Sequence, residues 1–324
     1  MDKIAFTLCS NNYLAQAKTL GESLRKTNPD IHFVIGLVDK RHAEIDYSSF
    51  DPFELISFEE LGFSEFDGMI SRYNIVEFNT AVKPFFIDYL FHAHSGCTLF
   101  YVDPDIEVYQ SFDELTKIIN NGHDFIITPH LVYQPLQRSK FEMLILNVGI
   151  FNLGFFGIKD TENGRSFVAW WKDRLTDYCK IDFQNGLFVD QLWVNFLPVF
   201  YSNVYILRDP GYNMGYWNFS ERRLTKKVDG YYVNEEHRLV FFHFSSFDPL
   251  QPDKLCKHLN YSFERRADLL PLYQSYTAKL LEKGFAKLSR VERMLGFKQN
   301  HPYADKKTDL WKKRLRKVIS KLLD

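Results

Sequence analysis

The sequence predicts an α/β fold, with a mostly parallel central sheet flanked by helices and followed by a C-terminal helical extension. Two observations carry this expectation. Short apolar runs alternate with helical patterns through the first 160 residues, and strand, helix, strand at that spacing is the signature of parallel pairing. Beyond them, the final stretch "DKKTDLWKKRLRKVISKLLD" repeats its apolar positions at helical spacing.

Taken in order, "KIAFTLC" reads as a first strand and "NNYLAQAKTLGESLRKTN" as an amphipathic helix with Leu14, Ala17, Leu20 and Leu24 on one stripe. "IHFVIGLVD" is a second strand, and residues 45–70 form a less regular, acidic and aromatic stretch. "YNIVEFNTAVKPFFIDYLFHA" is helical, with Pro84 beginning, kinking or interrupting it. "CTLFYVD" reads as a buried strand, and "SFDELTKIINN" as a helix opened by a capping box of Ser111 and Glu114. "HDFIITP" is the next strand. "NVGIFNLGFFGI" suggests short strands interrupted by glycines, "TENGRSFVAWWKDRLTDYC" a helix, and "YYVNEEHRLVFFHF" a hairpin turning near Asn234 and Glu235. With no repeat or linker, the simplest partition is residues 1–250 as one α/β domain and 251–324 as the extension.

Composition removes several classes of function. A chain of 324 residues, 45% hydrophobic, can bury a large core, and 40 basic against 41 acidic residues leave no whole-protein field for nucleic acid. Cys9, Cys97, Cys179 and Cys256 lie far apart, which argues against a disulfide framework or a thiolate zinc site and fits a reducing cytoplasm. No uncharged stretch approaches the ~20 residues that span a bilayer, and the N-terminus lacks a signal-peptide pattern.

The stretch "LFYVDPDIEVY" holds the strongest chemical signal. Asp103 and Asp105 fall where a buried strand leaves the sheet, the edge at which open α/β sheets bind ligands. Two carboxylates one residue apart, separated by a restricted proline, can share a hard cation such as Mg2+ or Mn2+. Asp and Pro are also turn formers, so the tripeptide alone is compatible with a plain turn.

Further segments fall in an order that resembles the GT-A-fold glycosyltransferases, Rossmann-like proteins, and among them glycosyltransferase family eight. The resemblance runs from about residue 3 to residue 250. "FTLCSNNY" resembles the family's nucleotide-binding start, which implies donor contacts from Thr7, Asn12 and Tyr13; Ser10 and Asn11 stand where the family has an acidic pair. "NTAVKPFFIDYL" resembles the helix before the D-x-D strand, with Lys83 in place of a donor-contacting arginine. The resemblance makes Asp103 and Asp105 metal ligands, with Asp103 also facing the donor, and makes His243 in "FFHFSSFDP" the third ligand. "FNLGFFGI" is similar to a strand in which Asn152 and Gly154 meet the donor sugar, and "FVDQLWVNFLP" to a helix that sets Asp190 and Gln191 beside it as the catalytic pair.

Each residue also has a plainer reading. Asn152 and Gly154 suit a strand bulge, Asp190 a helix N-cap, His243 a hydrogen-bonded core position, and Lys83 a solvated helix face. The ordered set is what favours the family. One departure stands out, because the lysine that in the family follows the histidine and grips the diphosphate is missing from "HFSSFDPLQPDK". Lys254, Lys257 and Arg208 are the candidates to replace it. Tyr212, Asn213, Tyr216, Trp217 and Asn218 form an aromatic and amide cluster suited either to a sugar face or to the core.

The resemblance therefore implies a hexosyltransferase that uses Mn2+ or Mg2+ to move a sugar from a nucleotide diphosphate, UDP-hexose foremost, to a glycan or lipid-linked acceptor, with retention favoured over inversion. Eight basic residues between Lys306 and Lys321 interleave with Leu310, Trp311, Leu315, Val318, Ile319 and Leu322. Such a helix is drawn to an anionic membrane surface. That implies a peripheral place at the inner face of a bacterial cytoplasmic membrane and a role in surface polysaccharide or lipopolysaccharide synthesis. The alternatives are a haloacid-dehalogenase-like phosphatase, which also ends a parallel strand in D-x-D, and a non-catalytic glycan- or nucleotide-binding module of the same fold.

Overall fold

The structure, a computed structural model, describes residues 2–135, 140–257, 262–292 and 295. The basic segment 305–324 lies outside the described residues. β1 (Lys3–Cys9) and α1 (Leu14–Thr27) fall where the sequence places them, joined by a 3-10 turn at Asn11–Tyr13, and all four residues of the α1 stripe are buried. β2 (His32–Leu37) is followed by an unanticipated strand, β3 (Glu54–Ser57), too short and too acidic at its start to show a pattern. α2 (Phe66–Arg72) and α3 (Ile75–Ala81) precede α4 (Lys83–Ala93). Pro84 sits in the first turn of α4, so it begins a helix, where its missing N–H costs nothing.

β4 (Thr98–Val102), β5 (Ile106–Val108), α5 (Asp113–Asn120) and β6 (Phe125–Pro129) follow. The expected capping box is not formed: Phe112 occupies the cap position, and the Ser111 hydroxyl donates to the Asp113 carboxylate at 2.8 Å. α6 (Lys140–Val148), β7 (Phe151–Lys159) and α7 (Glu162–Tyr178) come next. The glycines do not divide β7 into short strands as expected; it runs unbroken over nine residues.

β8 (Ile181–Asp182) and β9 (Leu187–Phe188) form a small hairpin, after which Gln191–Phe196 make a 3-10 turn rather than the expected α-helix and lead into α8 (Leu197–Phe200). β10 (Val204–Ile206) is followed by β11 (Leu224–Lys227), β12 (Gly230–Val233), β13 (His237–Arg238) and β14 (Phe241–His243). The β12–β13 hairpin turns at Asn234 and Glu235, both at positive φ (50° and 67°), as the sequence suggests. α9 (Leu270–Glu282) and α10 (Phe285–Leu288) complete the described chain.

Among the described residues the main sheet has seven strands in the order β10-β6-β7-β4-β1-β2-β3, parallel except for β7. β1 sends Ile4, Phe6 and Leu8 to one apolar layer and Ala5 and Cys9 to the other. This alternation is the period-two geometry of a strand covered on both faces. Phe86 and Leu90 of α4 with Phe167 and Trp171 of α7 close the first layer; Leu20 and Leu24 of α1 with Leu115 and Ile119 of α5 close the second. A third apolar cluster joins β14 to α9, where the Phe244 ring stacks on Tyr276 at 3.7 Å.

Candidate functional site

Because β1, β2, β4 and β6 run parallel, their carboxyl ends share one edge, and because β7 runs the other way its start falls there too. That edge collects Ser10 to Tyr13 after β1, Asp39 after β2, Asp103 after β4, His130 after β6, and Asn152 and Gly154 on β7. The β6–β7 register jumps from Ile127↔Phe156 to Thr128↔Asn152, so Gly154 lies in a bulge. Bulges re-aim the groups around them. The freed Gly154 carbonyl accepts the Asp103 N–H at 2.8 Å.

From Asp103 the chain turns through Pro104, the Ile106 N–H returning to the Asp103 carbonyl at 3.1 Å, and enters β5. β5 pairs antiparallel with β14, setting His243 opposite Ile106, and the Phe244 N–H bonds the Asp105 carbonyl at 2.9 Å. Asp103, Asp105 and His243 thereby offer ligand atoms that all lie within 4.8 Å of one another. His243 Nε2 is 2.9 Å from Asp105 Oδ1 and 3.6 Å from Asp103 Oδ2. Adjacent ligands of a six-coordinate Mg2+ or Mn2+ stand about 3 Å apart, and two carboxylates with one imidazole suit such an ion, so the residues fit it.

The electrostatics of the cluster follow from its burial and its mixed charges. Burial raises the Asp103 pKa above the usual carboxylate range, against lowering by His243 and Lys83. For His243, burial disfavours the charged ring, but Asp105, by charge and hydrogen bond, and Asp103 outweigh it and hold the pKa above its ordinary value. The Tyr101 hydroxyl donates to Asp103 Oδ1 at 2.5 Å.

Lys83 is not the solvated helix residue that its neighbourhood allowed. It is 2% exposed, its ammonium lies 2.5 Å from Asp190 Oδ2 and 4.0 Å from the centre of the Tyr101 ring, and it also donates to the Leu153 carbonyl. Asp190 occupies an N-cap position but makes no side-chain cap bond; its carboxylate turns to Lys83. Val189 just before it stands at φ 39°, a conformation that costs a β-branched residue about 1–3 kcal/mol. Gln191 uses both amide atoms on main chain, donating to the Val148 carbonyl at 2.8 Å and accepting from the Leu153 N–H at 3.2 Å.

At the β1 end, Thr7 is fully enclosed and its hydroxyl finds no partner among the described residues. Asn12 is half-buried and Tyr13 is 41% exposed. Asn11, buried, donates to Asp39 Oδ2 and to the Lys40 carbonyl, both at 2.9 Å, and Ser10 accepts from the Asn79 amide. A carboxylate thus lies directly beneath the turn that lacks the family's acidic pair. Asp39 also accepts the Leu295 N–H at 3.2 Å, which brings the late chain to this edge.

Sequence reasoning missed Asp39, His130 and Tyr101, although the first two carry the signal that marked Asp103, a polar residue closing a buried strand. Of the aromatic and amide cluster, Tyr212, Asn213, Trp217 and Asn218 are buried beneath the site, Trp217 edge-on to His243 at 5.0 Å. Glu107 lies on β5, where it accepts from the Lys279 ammonium and from the Tyr109 hydroxyl, binding α9 to the ribbon.

No family model matches the chain. It is 24% identical over 251 residues to the uncharacterised protein YfnF of Bacillus subtilis (strain 168), covering 74% of this chain and 80% of that protein. It is 22% identical over 287 residues to YfnD of the same organism, covering 85% and 87%. Among solved structures, the galactosyltransferase LgtC in complex with donor and acceptor sugar analogues aligns with TM-score 0.54 at 16% identity, over 87% of this chain and 96% of that one. The glycosyltransferase GlyE of Streptococcus pneumoniae TIGR4 aligns with TM-score 0.51 at 16% identity, over 90% of this chain and 66% of that one. The fold is therefore the GT-A fold of these glycosyltransferases, in agreement with the order of motifs.

Proposed function

We propose that the chain is a metal-dependent glycosyltransferase that moves a sugar from a nucleoside diphosphate donor, UDP-hexose foremost, to a hydroxyl of a glycan or lipid-linked acceptor in surface polysaccharide synthesis. The observation that carries the reading is the convergence of Asp103, Asp105 and His243 at the ligand-binding edge of a GT-A sheet. A Mn2+ or Mg2+ ion held there would stabilise the charge of the departing diphosphate. Donor and acceptor analogues in LgtC support the same substrate classes here.

The chain's own groups take the remaining roles. Tyr13 presents a ring at the edge for the base, beside Asn12. Lys257 is the group we assign to the diphosphate: its N–H bonds the Ser246 carbonyl at 3.1 Å, three residues past His243, its exposed ammonium has only a loose 3.6 Å pairing with Asp248 to give up, and Leu255 and Cys256 anchor the loop in the core. Lys254 instead bonds Gln251, and Arg208 is exposed on its own strand end. Asp190 and Gln191, with Lys83, brace the floor on which the sugar would rest. Asp190, buried and in contact with Lys83, is not presented to an incoming hydroxyl as a general base would be, which favours retention. No helix among the described residues is long and apolar enough to cross a membrane; the proposed membrane attachment rests on the composition of segment 305–324, and the proposed cytoplasmic location on the four scattered cysteines.

A screen of nucleotide sugars for Mn2+-dependent binding and slow hydrolysis tests the reading. One donor should stand out, chelation should abolish its turnover, and Asp103→Ala and Asp105→Ala should each lose metal-dependent donor binding with the fold intact. Full turnover by both variants in chelator sinks the metal mechanism. The burial of Asp190 on Lys83 also favours a second reading, a non-catalytic binding module, which predicts tight nucleotide binding with neither hydrolysis nor transfer.

A further inference from the structure

An imidazole can give a cation only the nitrogen that carries no proton, so a metal-binding histidine needs its tautomer fixed. In His243 the two nitrogens face different partners: Nε2 looks at the carboxylates, and Nδ1 lies 3.4 Å from Asn213 Oδ1. Asp105 Oδ1, 2.9 Å from Nε2, is an acceptor that competes to place the proton on Nε2, the wrong nitrogen for a ligand, so Nδ1 needs an acceptor of its own.

The surroundings fix which way the Asn213 amide points. Its Nδ2 donates to Thr128 Oγ1 at 2.8 Å and to Asn152 Oδ1 at 2.9 Å. Thr128 gives its own hydrogen to the Asn152 carbonyl, and Asn152 Oδ1 already accepts the Gly154 N–H at 3.0 Å. Exchanging the amide's oxygen and nitrogen would set acceptor against acceptor, so Oδ1 must face His243 and accept from it. The direction continues outward: Asn152 Nδ2 donates to His130 Nε2 at 3.3 Å, and His130 Nδ1 donates to the Ile150 carbonyl at 3.2 Å. Burial, which lowers the His130 pKa to about 4, keeps that ring neutral and able to accept.

The backbone is shaped to deliver this amide. Asn213 is 1% exposed at φ 53°, a left-handed conformation that asparagine tolerates. The Asn218 amide holds its carbonyl at 3.0 Å, and buried Arg222 clamps the Tyr212 and Pro210 carbonyls at 2.7 and 2.9 Å.

We propose that Asn213 is a positioning residue for the cation centre: it holds the proton of His243 on Nδ1 and so leaves Nε2 free to ligate. This rests on the metal-dependent reading above. Asn152 then acts as a strut of the same network, with both amide atoms engaged inside the protein.

The test is Mn2+ titration of the full chain by electron paramagnetic resonance, in wild type, Asn213→Gly, which keeps the positive φ available and removes the acceptor, and Thr128→Val, which cuts one bond of the same network while Asn152 Oδ1 still holds the Asn213 amide in place. N213G should lose about 10–100-fold in Mn2+ affinity, while T128V stays within about threefold of wild type. Wild-type affinity in N213G, or a T128V loss as large as that of N213G, overturns the proposal. Should N213G not fold, histidine 15N spectra of wild type loaded with Cd2+, a diamagnetic stand-in, decide: Nδ1 protonated and Nε2 ligated supports the proposal, and ligation through Nδ1 overturns it. A wild type that takes up no divalent ion at all is a different failure, which removes the metal-centre reading and this inference with it.

Discussion

Lys83 and Asp190 form an ion pair of 2.5 Å with each residue 2% exposed, linking the start of α4 to the turn after β9 across 107 residues of sequence. Its energetic meaning lies in what each charge does without the other. Desolvation consumes most of the attraction in a buried pair, whereas a single buried charge left behind is costly. Lys83→Met and Asp190→Leu should each lose about 3–5 kcal/mol of stability, and the double variant Lys83→Met/Asp190→Leu should recover much of it. Chemical denaturation of the three variants measures this, and additive losses would refute the pair as described.

His130 makes stability depend on pH. Its folded pKa, about 4, lies below the ordinary histidine value, so the unfolded chain binds more protons between the two. The sign follows: this stability is fully present above pH ~6.5 and is lost as pH falls toward 4, by about 3 kcal/mol in all. The melting temperature of wild type should fall over that window, and His130→Gln, which keeps an acceptor near Asn152, should flatten the slope.

Gly154 is a glycine because a β-carbon there would stand 2.4 Å from His243 Cε1 and 2.9 Å from Asn152 Oδ1. Gly154→Ala should push the imidazole out of place, weakening Mn2+ binding more than tenfold and costing about 1–3 kcal/mol of stability. Gly157→Ala on the same strand meets only Ile126, at 3.0 Å. It should lose stability and keep its Mn2+ affinity; equal metal loss in both would point to strand distortion.

Glu107 and Lys279 tie β5 to α9, with Glu107 3% exposed and Lys279 half in solvent. Lys279→Met leaves the buried carboxylate with Tyr109 alone and should cost about 2 kcal/mol. Limited proteolysis should then cut within α9 earlier than in wild type, and unchanged protection would show that the apolar contacts suffice.

Where the sequence was legible, one physical period dominated. The strands Lys3–Cys9 and Phe125–Pro129 and the helix Leu14–Thr27 are long apolar patterns bounded by polar residues, and their limits could be read almost to the residue. β3 escaped because four residues at a sheet edge carry no period. The glycines of β7 misled because a glycine can serve a neighbour's volume rather than its own backbone, and the neighbour, His243, is remote in sequence. That Asp103, Asp105 and His243 would come together was legible through their order along the chain. The buried partners that orient them, Asn213 above all, were hidden because a hydrogen-bond direction is set by three-dimensional neighbours, not by residue type.

Asp105 and His243 belong to the β5–β14 ribbon, whereas Asp103 ends a strand of the main sheet, so the cluster straddles a seam between two separately hydrogen-bonded units. An ion seated on such a seam would work as a reversible clasp, joining Asp103 to His243, 140 residues further along the chain. Any ion bound only by the folded protein adds about 2.7 kcal/mol at one hundred times its dissociation constant. Cation supply would then set how long the ribbon stays closed, as well as whether the site can turn over.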